Sequence, residues 1–272
     1  MKNILSFLLL SILALTACKE KPITIPEPAT PKRRVLVEEL TGVRCTNCPD
    51  GARTLLSLQS TFGKDNLILV SNHSAGSFSF PYPDSKFKFN FPEGQAMSDF
   101  IGQPIGFPTA AIGRFQLNSG QSPFVSASLW AGLLNSEFAK DYGLGLFIKT
   151  AYNATTRQVK IEVLMDPTQT LVGEHRLSVI ITQDSIVDSQ LDNGTKLKEY
   201  VHRHVLRGVL SSPTGDLINE PITAGVLLQR KYTFTLPDDT WKPKNCSVVA
   251  FVHHGGTPDK EVLQVAEHHV VD

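Results

Sequence analysis

The stretch TGVRCTNCPDGAR, Thr41 to Arg53, sets two cysteines three positions apart directly before a helical pattern. Upstream, RRVLVEELTG gives a short β-branched strand closed by a glycine turn. Downstream, CPDGARTLLSLQSTFG spaces Leu55, Leu56, Leu58 and Phe62 as the apolar positions of a helix. Pro49 fits only the first turn, where its missing N–H is not needed, so the helix begins at the cysteines. The next segment, DNLILVSNH, is nearly all apolar, as a parallel strand covered on both faces is. Strand, helix, strand in this order predicts a right-handed parallel unit.

Three chemistries can use such a cysteine pair. Zinc needs a second knuckle, and no second Cys-x-x-Cys exists. The remaining candidates (His202 and His204, His253 and His254, His268 and His269) lie in the other half, where only a composite site is geometrically open. No metal and no cofactor is expected. A structural staple across two residues removes little entropy from the unfolded chain and is weak. Redox chemistry suits the spacing: a first sulfur at a helix N-terminus is stabilised as thiolate, and a second resolves the mixed disulfide. Cys45 is therefore expected to attack and Cys48 to resolve, with Arg44 adding a positive charge beside Cys45.

The compartment agrees. MKNILSFLLLSILALTAC has one early positive charge, an apolar run from Ile4 to Leu15 and small residues before a cysteine, the pattern of a secretory signal too short to span a bilayer. Its end, LTAC, resembles the lipobox of bacterial lipoproteins, which implies lipidation of Cys18 and a membrane anchor through its acyl chains. KEKPITIPEPATPKRR then reads as an extended tether. Without Lys2 the chain carries 25 basic and 26 acidic residues, a balance that argues against nucleic acid as a partner. Cys246, in the apolar run NCSVVAFVHH, reads as a small buried hydrophobe.

Between Ser74 and Glu93, Phe78, Phe80 and Tyr82 alternate before a turn and Phe87, Phe89 and Phe91 after it, a pattern that reads either as a flap-like hairpin at the rim of the cysteine site or as aromatics packing a long loop onto the core. EGQAMSDFIG reads as a short helix, GFPTAAIGRFQ as a strand opened by Pro108, and Ser122 to Ala139 as a further helix. From Tyr142 onward the pattern becomes about seven short strands, GLGLFIKTAY to EVLQVAEHHVV, separated by turns such as DNGTK and LPDD.

Strand, Cys-x-x-Cys at a helix start, strand, helix and then GFPT opening another strand resemble the thioredoxin fold over Val35 to Asp141. That resemblance implies a cis Pro108 whose loop lies against the cysteines, with Phe107, Thr109 and Arg44 as substrate contacts. It also implies a buried acid at Glu39 that assists proton transfer; an exposed strand carboxylate is the plainer alternative, and neighbouring Glu38 leaves the register open. Arg44 stands where such proteins carry an aromatic residue, and Thr46 and Asn47 are not a familiar intervening pair, so redox potential and direction stay open.

Across both halves, EELTGVRCTNCPDGA, HRHVLRGVL and CSVVAFV resemble the Omp-twenty-eight-related outer-membrane lipoproteins of Gram-negative bacteria. The resemblance implies an adhesin or receptor role rather than an established reaction. The expected architecture is a signal peptide (1–17), a lipidated cysteine and tether (18–34), an α/β thioredoxin-like domain (35–141) and an all-β sandwich domain of immunoglobulin-like size (142–272). Two functions follow for an outer-membrane lipoprotein whose leaflet the sequence does not fix. One is thiol-disulfide exchange with protein thiols through Cys45, Cys48, Pro108 and Glu39. The other is adhesion to a host or envelope protein through the β-domain and the aromatic insertion.

Overall fold

The computed structural model describes residues 32–74, 76–256 and 258–271. The signal segment, Cys18 and the tether up to residue 31 lie outside the described residues. The first half runs β1 (Val35–Leu40), α1 (Cys48–Phe62), β2 (Leu67–Asn72), α2 (Pro92–Ile101), β3 (Thr109–Ile112), β4 (Phe124–Val125) and α3 (Ala127–Phe138). The second half is strands: β5 (Leu144–Asn153), β6 (Gln158–Pro167), β7 (His175–Gln183), β8 (Ile186–Asp192), β9 (Thr195–His202), β10 (Val205–Val209), β11 (Asp216–Leu217), β12 (Leu228–Thr235), β13 (Cys246–His254) and β14 (Val262–His269).

All six residues of β1 are buried because alternate side chains point to opposite faces and both faces are covered. Val35 and Val37 pack with Leu67 and Leu69 against Leu55 of α1 and Trp130 and Leu134 of α3. On the other face, Leu36, Ile68 and Val70 meet Met97 of α2 together with Ile180, Leu206 and Phe251. Those last three come from the second half of the chain. The long sheet has the order β14-β13-β7-β10-β2-β1-β3-β4, with β11 also on β7, so strands from both halves form one hydrogen-bonded surface. The three-stranded sheet β12-β6-β5 lies against it over Leu146, Val163, Val179 and Val248, and β8 and β9 form a separate hairpin.

This arrangement corrects the expected α/β thioredoxin-like domain followed by a separate β-sandwich. The described residues are 40% strand and 18% helix, with three α-helices, and the fold is β-rich. Only β1 and β2 are joined by a helical crossover; β3 returns antiparallel, with Val37 opposite Ile112. The free edge of β2, apolar on both faces, takes β10 as a parallel neighbour, with Val205 beside Ser71, and β7 follows antiparallel to β10. A buried strand edge needs partners for its N–H and C=O groups, and the second half supplies them. The expected flap hairpin is absent too: residues 77–79 form a single 3-10 turn, and 80–91 hold no strand.

Glu38 is buried on the α2 face of β1, where Arg114 donates to it from Nε and a terminal nitrogen at 2.7 and 2.8 Å. Breaking a buried pair strands a charge, whereas replacing both members with apolar groups is close to neutral. Arg114→Leu is expected to lower unfolding free energy by about 3 to 5 kcal/mol, and Glu38→Leu added to it to recover most of the loss. Urea denaturation of the two variants and the parent checks both signs.

Candidate functional site

Cys45 and Cys48 are joined as a disulfide. Cys48 is the first residue of α1, with Asn47 as N-cap and Pro49 in the first turn, so the helix N-terminus carries the second sulfur, and Cys45 lies in the turn ahead of it. Both are buried, Cys45 at 4% exposure and Cys48 at 1%. Gly51 stands where a Cβ would lie 2.7 Å from the Pro108 Cβ and 3.4 Å from Glu39 Oε1. A Cβ there would press on the Pro108 ring, while Glu39 would be at ordinary contact distance. The Phe107–Pro108 bond is cis.

The lid over the cysteine turn is the hairpin β8–β9, which the sequence reading did not place there. Gln190 donates to the carbonyls of Gly42 and Cys45, each at 3.2 Å, and the Leu191 N–H to that of Val43 at 2.8 Å. The hairpin turn holds Thr46, whose carbonyl accepts from Asn193 N–H at 2.9 Å and whose hydroxyl oxygen accepts from Gly194 N–H at 2.7 Å. Arg53 of α1 reaches both oxygens of Asp192 at 3.0 and 3.1 Å. The same hairpin fixes the aromatic loop, because buried Asp188 accepts from the N–H groups of Lys86 and Phe87 at 3.1 and 2.8 Å.

Under Cys48 lies a cavity of about 40 Å³ bordered by Glu39, Ser71, His73, Tyr200 and His202. Glu39 is buried on the α1 side of β1, and Ser71 Oγ donates to its Oε2 at 3.0 Å. Burial disfavours the carboxylate more than one hydroxyl stabilises it, and the pKa rises to about 8. His73 and His202 are buried ring to ring, with centroids 5.5 Å apart and Phe89 against both. Desolvation holds them neutral, at about 3 and about 4.

The other expected residues are placed as follows. Arg44 turns from the sulfurs to the aromatic loop, donating to the carbonyls of Phe80 and Pro81 at 2.8 and 2.7 Å and stacking 4.6 Å from the centre of the Tyr82 ring. Phe107 meets Phe78 edge-on, with centroids 5.5 Å apart. Thr109 is buried with its hydroxyl committed to the Val125 carbonyl at 3.0 Å. Cys246 is free and buried, and desolvation pushes its thiol up to about 12, which leaves it unreactive. Among the described residues no group of three or more His, Cys, Asp and Glu is placed to hold a metal, and no helix is long and apolar enough to cross a membrane.

Residues 96–272 match the family of outer membrane protein Omp28. The chain belongs to that family. Its members are outer membrane proteins, which places this protein in the cell envelope at the outer membrane. The matched region holds Pro108 and the whole β8–β9 hairpin, while Glu39 and both disulfide cysteines precede it. Among solved structures, HBP35 of Porphyromonas gingivalis is similar at TM-score 0.69 and 19% identity, over 88% of this chain and 76% of that one. A protein of Agrobacterium tumefaciens is similar at TM-score 0.54 and 12% identity, over 90% and 97% of the two chains. At such identities the likeness is one of fold. Among curated proteins no sequence relative matches.

The Omp28-family chain should show the cavity's charges in its pH dependence. Folded Glu39 keeps its proton up to about pH 8 and the unfolded carboxyl only to about 4.5, so the folded state binds the extra proton and stability is lost as pH rises through that window. The histidines act oppositely: their folded values lie below the ordinary 6.5, so their contribution is lost as pH falls below it. Well above pH 6.5, where both histidines are neutral folded and unfolded, Glu39 acts alone of the three. Between pH 6.5 and 8 Glu39→Gln is expected to escape a loss of roughly 1.5 kcal/mol that the parent suffers. Urea unfolding at both pH values tests this, and equal pH slopes would refute the raised carboxyl.

Proposed function

We propose that this outer membrane protein exchanges disulfides with dithiol partners through Cys45 and Cys48, tethered to the membrane by a lipid on Cys18. The observation that carries the reading is the buried, proton-holding Glu39 on the wall of the cavity that Cys48 also lines. A carboxyl kept protonated near neutral pH is a proton donor beside the sulfur that must leave. A two-residue loop gains little from its bridge, and Gln190 already fixes the turn, so stability alone does not account for the disulfide.

A partner thiolate attacks Cys45 Sγ; the Cys45–Cys48 bond breaks, a mixed disulfide forms, and Cys48 leaves as a thiolate that takes the Glu39 proton. The partner's second thiolate then attacks its own sulfur in the mixed disulfide. Its two sulfurs close into a disulfide, and Cys45 leaves and is protonated from solvent. Two electrons pass from the partner to the cysteine pair. The reverse runs when a partner disulfide has the higher potential.

Adhesion is the second reading, favoured by the exposure of Phe78 and Phe80, at 42% and 56%, beside the cysteine turn. Titration in glutathione buffers, with alkylation of Cys45 followed by mass spectrometry, separates the two. Exchange predicts a reversible couple and a Cys48→Ser form that traps envelope proteins as mixed disulfides. A pair that no dithiol reduces in the folded protein, with nothing trapped, leaves adhesion. For the tether, Cys18→Ser is expected to move the protein from the membrane to the soluble fraction, and an unchanged distribution sinks the anchor.

A further inference from the structure

Two polar atoms border the cavity under Cys48 without a hydrogen-bond partner among the described residues: Glu39 Oε1 and His202 Nε2. Each belongs to a buried side chain. A buried polar atom left unpaired costs about 1 to 3 kcal/mol, so two on one cavity point to a polar occupant. The volume of about 40 Å³ has room for one or two waters. The complementary atoms are already engaged: Glu39 Oε2 accepts from Ser71, and the His202 ring bonds the backbone at Asp188 and Ser189. With its other nitrogen so occupied, neutral His202 offers Nε2 as an acceptor.

We propose that a water bound in this cavity links Glu39 to His202, making His202 the positioning residue for the proton that Cys48 takes up. The proposal rests on the exchange reading above. The protonated Glu39 carboxyl donates to the water, and the water donates to His202 Nε2. When the Cys48 thiolate takes the Glu39 proton, the water turns to donate to the carboxylate, and a proton from solvent passes along it to restore the acid. His202 stays neutral throughout and fixes the water's orientation. Tyr200, Arg203 and His204 are the other titratable or charged groups on the cavity wall, and His73 and Asp188 face His202.

The test uses the mature chain and two readouts. Infrared spectroscopy at pH 6.5 follows the carbonyl band of protonated Glu39, identified by its loss in Glu39→Gln. His202→Phe removes the acceptor and should shift that band upward; His202→Gln, which keeps an amide oxygen, should leave it near the parental position. In parallel, reduction by dithiothreitol between pH 6.5 and 9 should slow about five-fold or more in His202→Phe, with a displaced pH profile that His202→Gln restores. An unmoved band and profile in His202→Phe overturn the water link while leaving exchange intact. A moved band in a protein whose disulfide no dithiol reduces overturns exchange and keeps the link. The parent alone supplies a further check should the Phe variant not fold: a long-lived buried water must give a nuclear Overhauser effect to the His202 ring, and its absence overturns the link.

Discussion

Ser71 is the residue on which the site depends. Its N–H donates to the His204 carbonyl at 2.8 Å, the bond that seats β10 beside β2, and its hydroxyl donates to Glu39 at 3.0 Å. One residue thus ties the second half to the sheet and holds the acid under the disulfide. His204 reaches Ser71 only by taking a positive φ of 51°, left-handed backbone that costs a non-glycine residue about 1 kcal/mol or more. That turn lets β9 stop at His202 and β10 begin at Val205 in a different sheet. Through it, Tyr200 and His202 go to the cysteine site and Val205 and Leu206 to the core.

Neighbours on β1 show how the two faces of one strand divide stability from chemistry. Glu38 and Glu39 are both buried and point oppositely, as the two-residue period requires. Glu38 meets a guanidinium that satisfies both oxygens, so its charge is neutralised where it lies. Glu39 receives one hydroxyl and no cation, and its cheapest state is protonated. Both side chains are almost completely buried. The difference lies in the partner, and that difference makes one glutamate a structural ion and the other a proton store.

Much of this was legible in the sequence where pattern and function coincide. The helix from Cys48 to Phe62 follows from Pro49 and the leucine spacing, strand β1 from its β-branched run before a glycine turn, and the buried strands β2 and β13 from their mostly apolar runs. The β8–β9 hairpin was not legible, because its pattern is inverted. Asp188, Ser189, Gln190 and His202 are buried in it beside a single apolar residue, Ile186, while Val187, Leu197 and Val201 face outward. Polar residues turned inward to bond loop backbone read as a loop, even though Asn193-Gly194 signals a tight turn. HRHVLRGVL reads as one strand because no glycine or proline marks the break at His204. The joining of the halves hid in the same place, since it rests on a five-residue strand whose partner lies more than a hundred positions earlier.

The hairpin also explains residues that looked arbitrary in the motif. Thr46 offers a carbonyl and a hydroxyl to the turn at Asn193 and Gly194, two contacts that fix the loop between the sulfurs. Arg53 spans from α1 to Asp192 and secures the helix whose first residue is Cys48. The cysteine turn is therefore shaped by the strand segment that follows it in space rather than in sequence. Cleaving the disulfide would leave Cys45 hydrogen-bonded to Gln190, Val43 to Leu191, and Thr46 to Asn193 and Gly194, so the turn would keep the two sulfurs close enough to close again. The exchange proposed for this pair needs that property in both states, and hydrogen bonds outside the motif supply it.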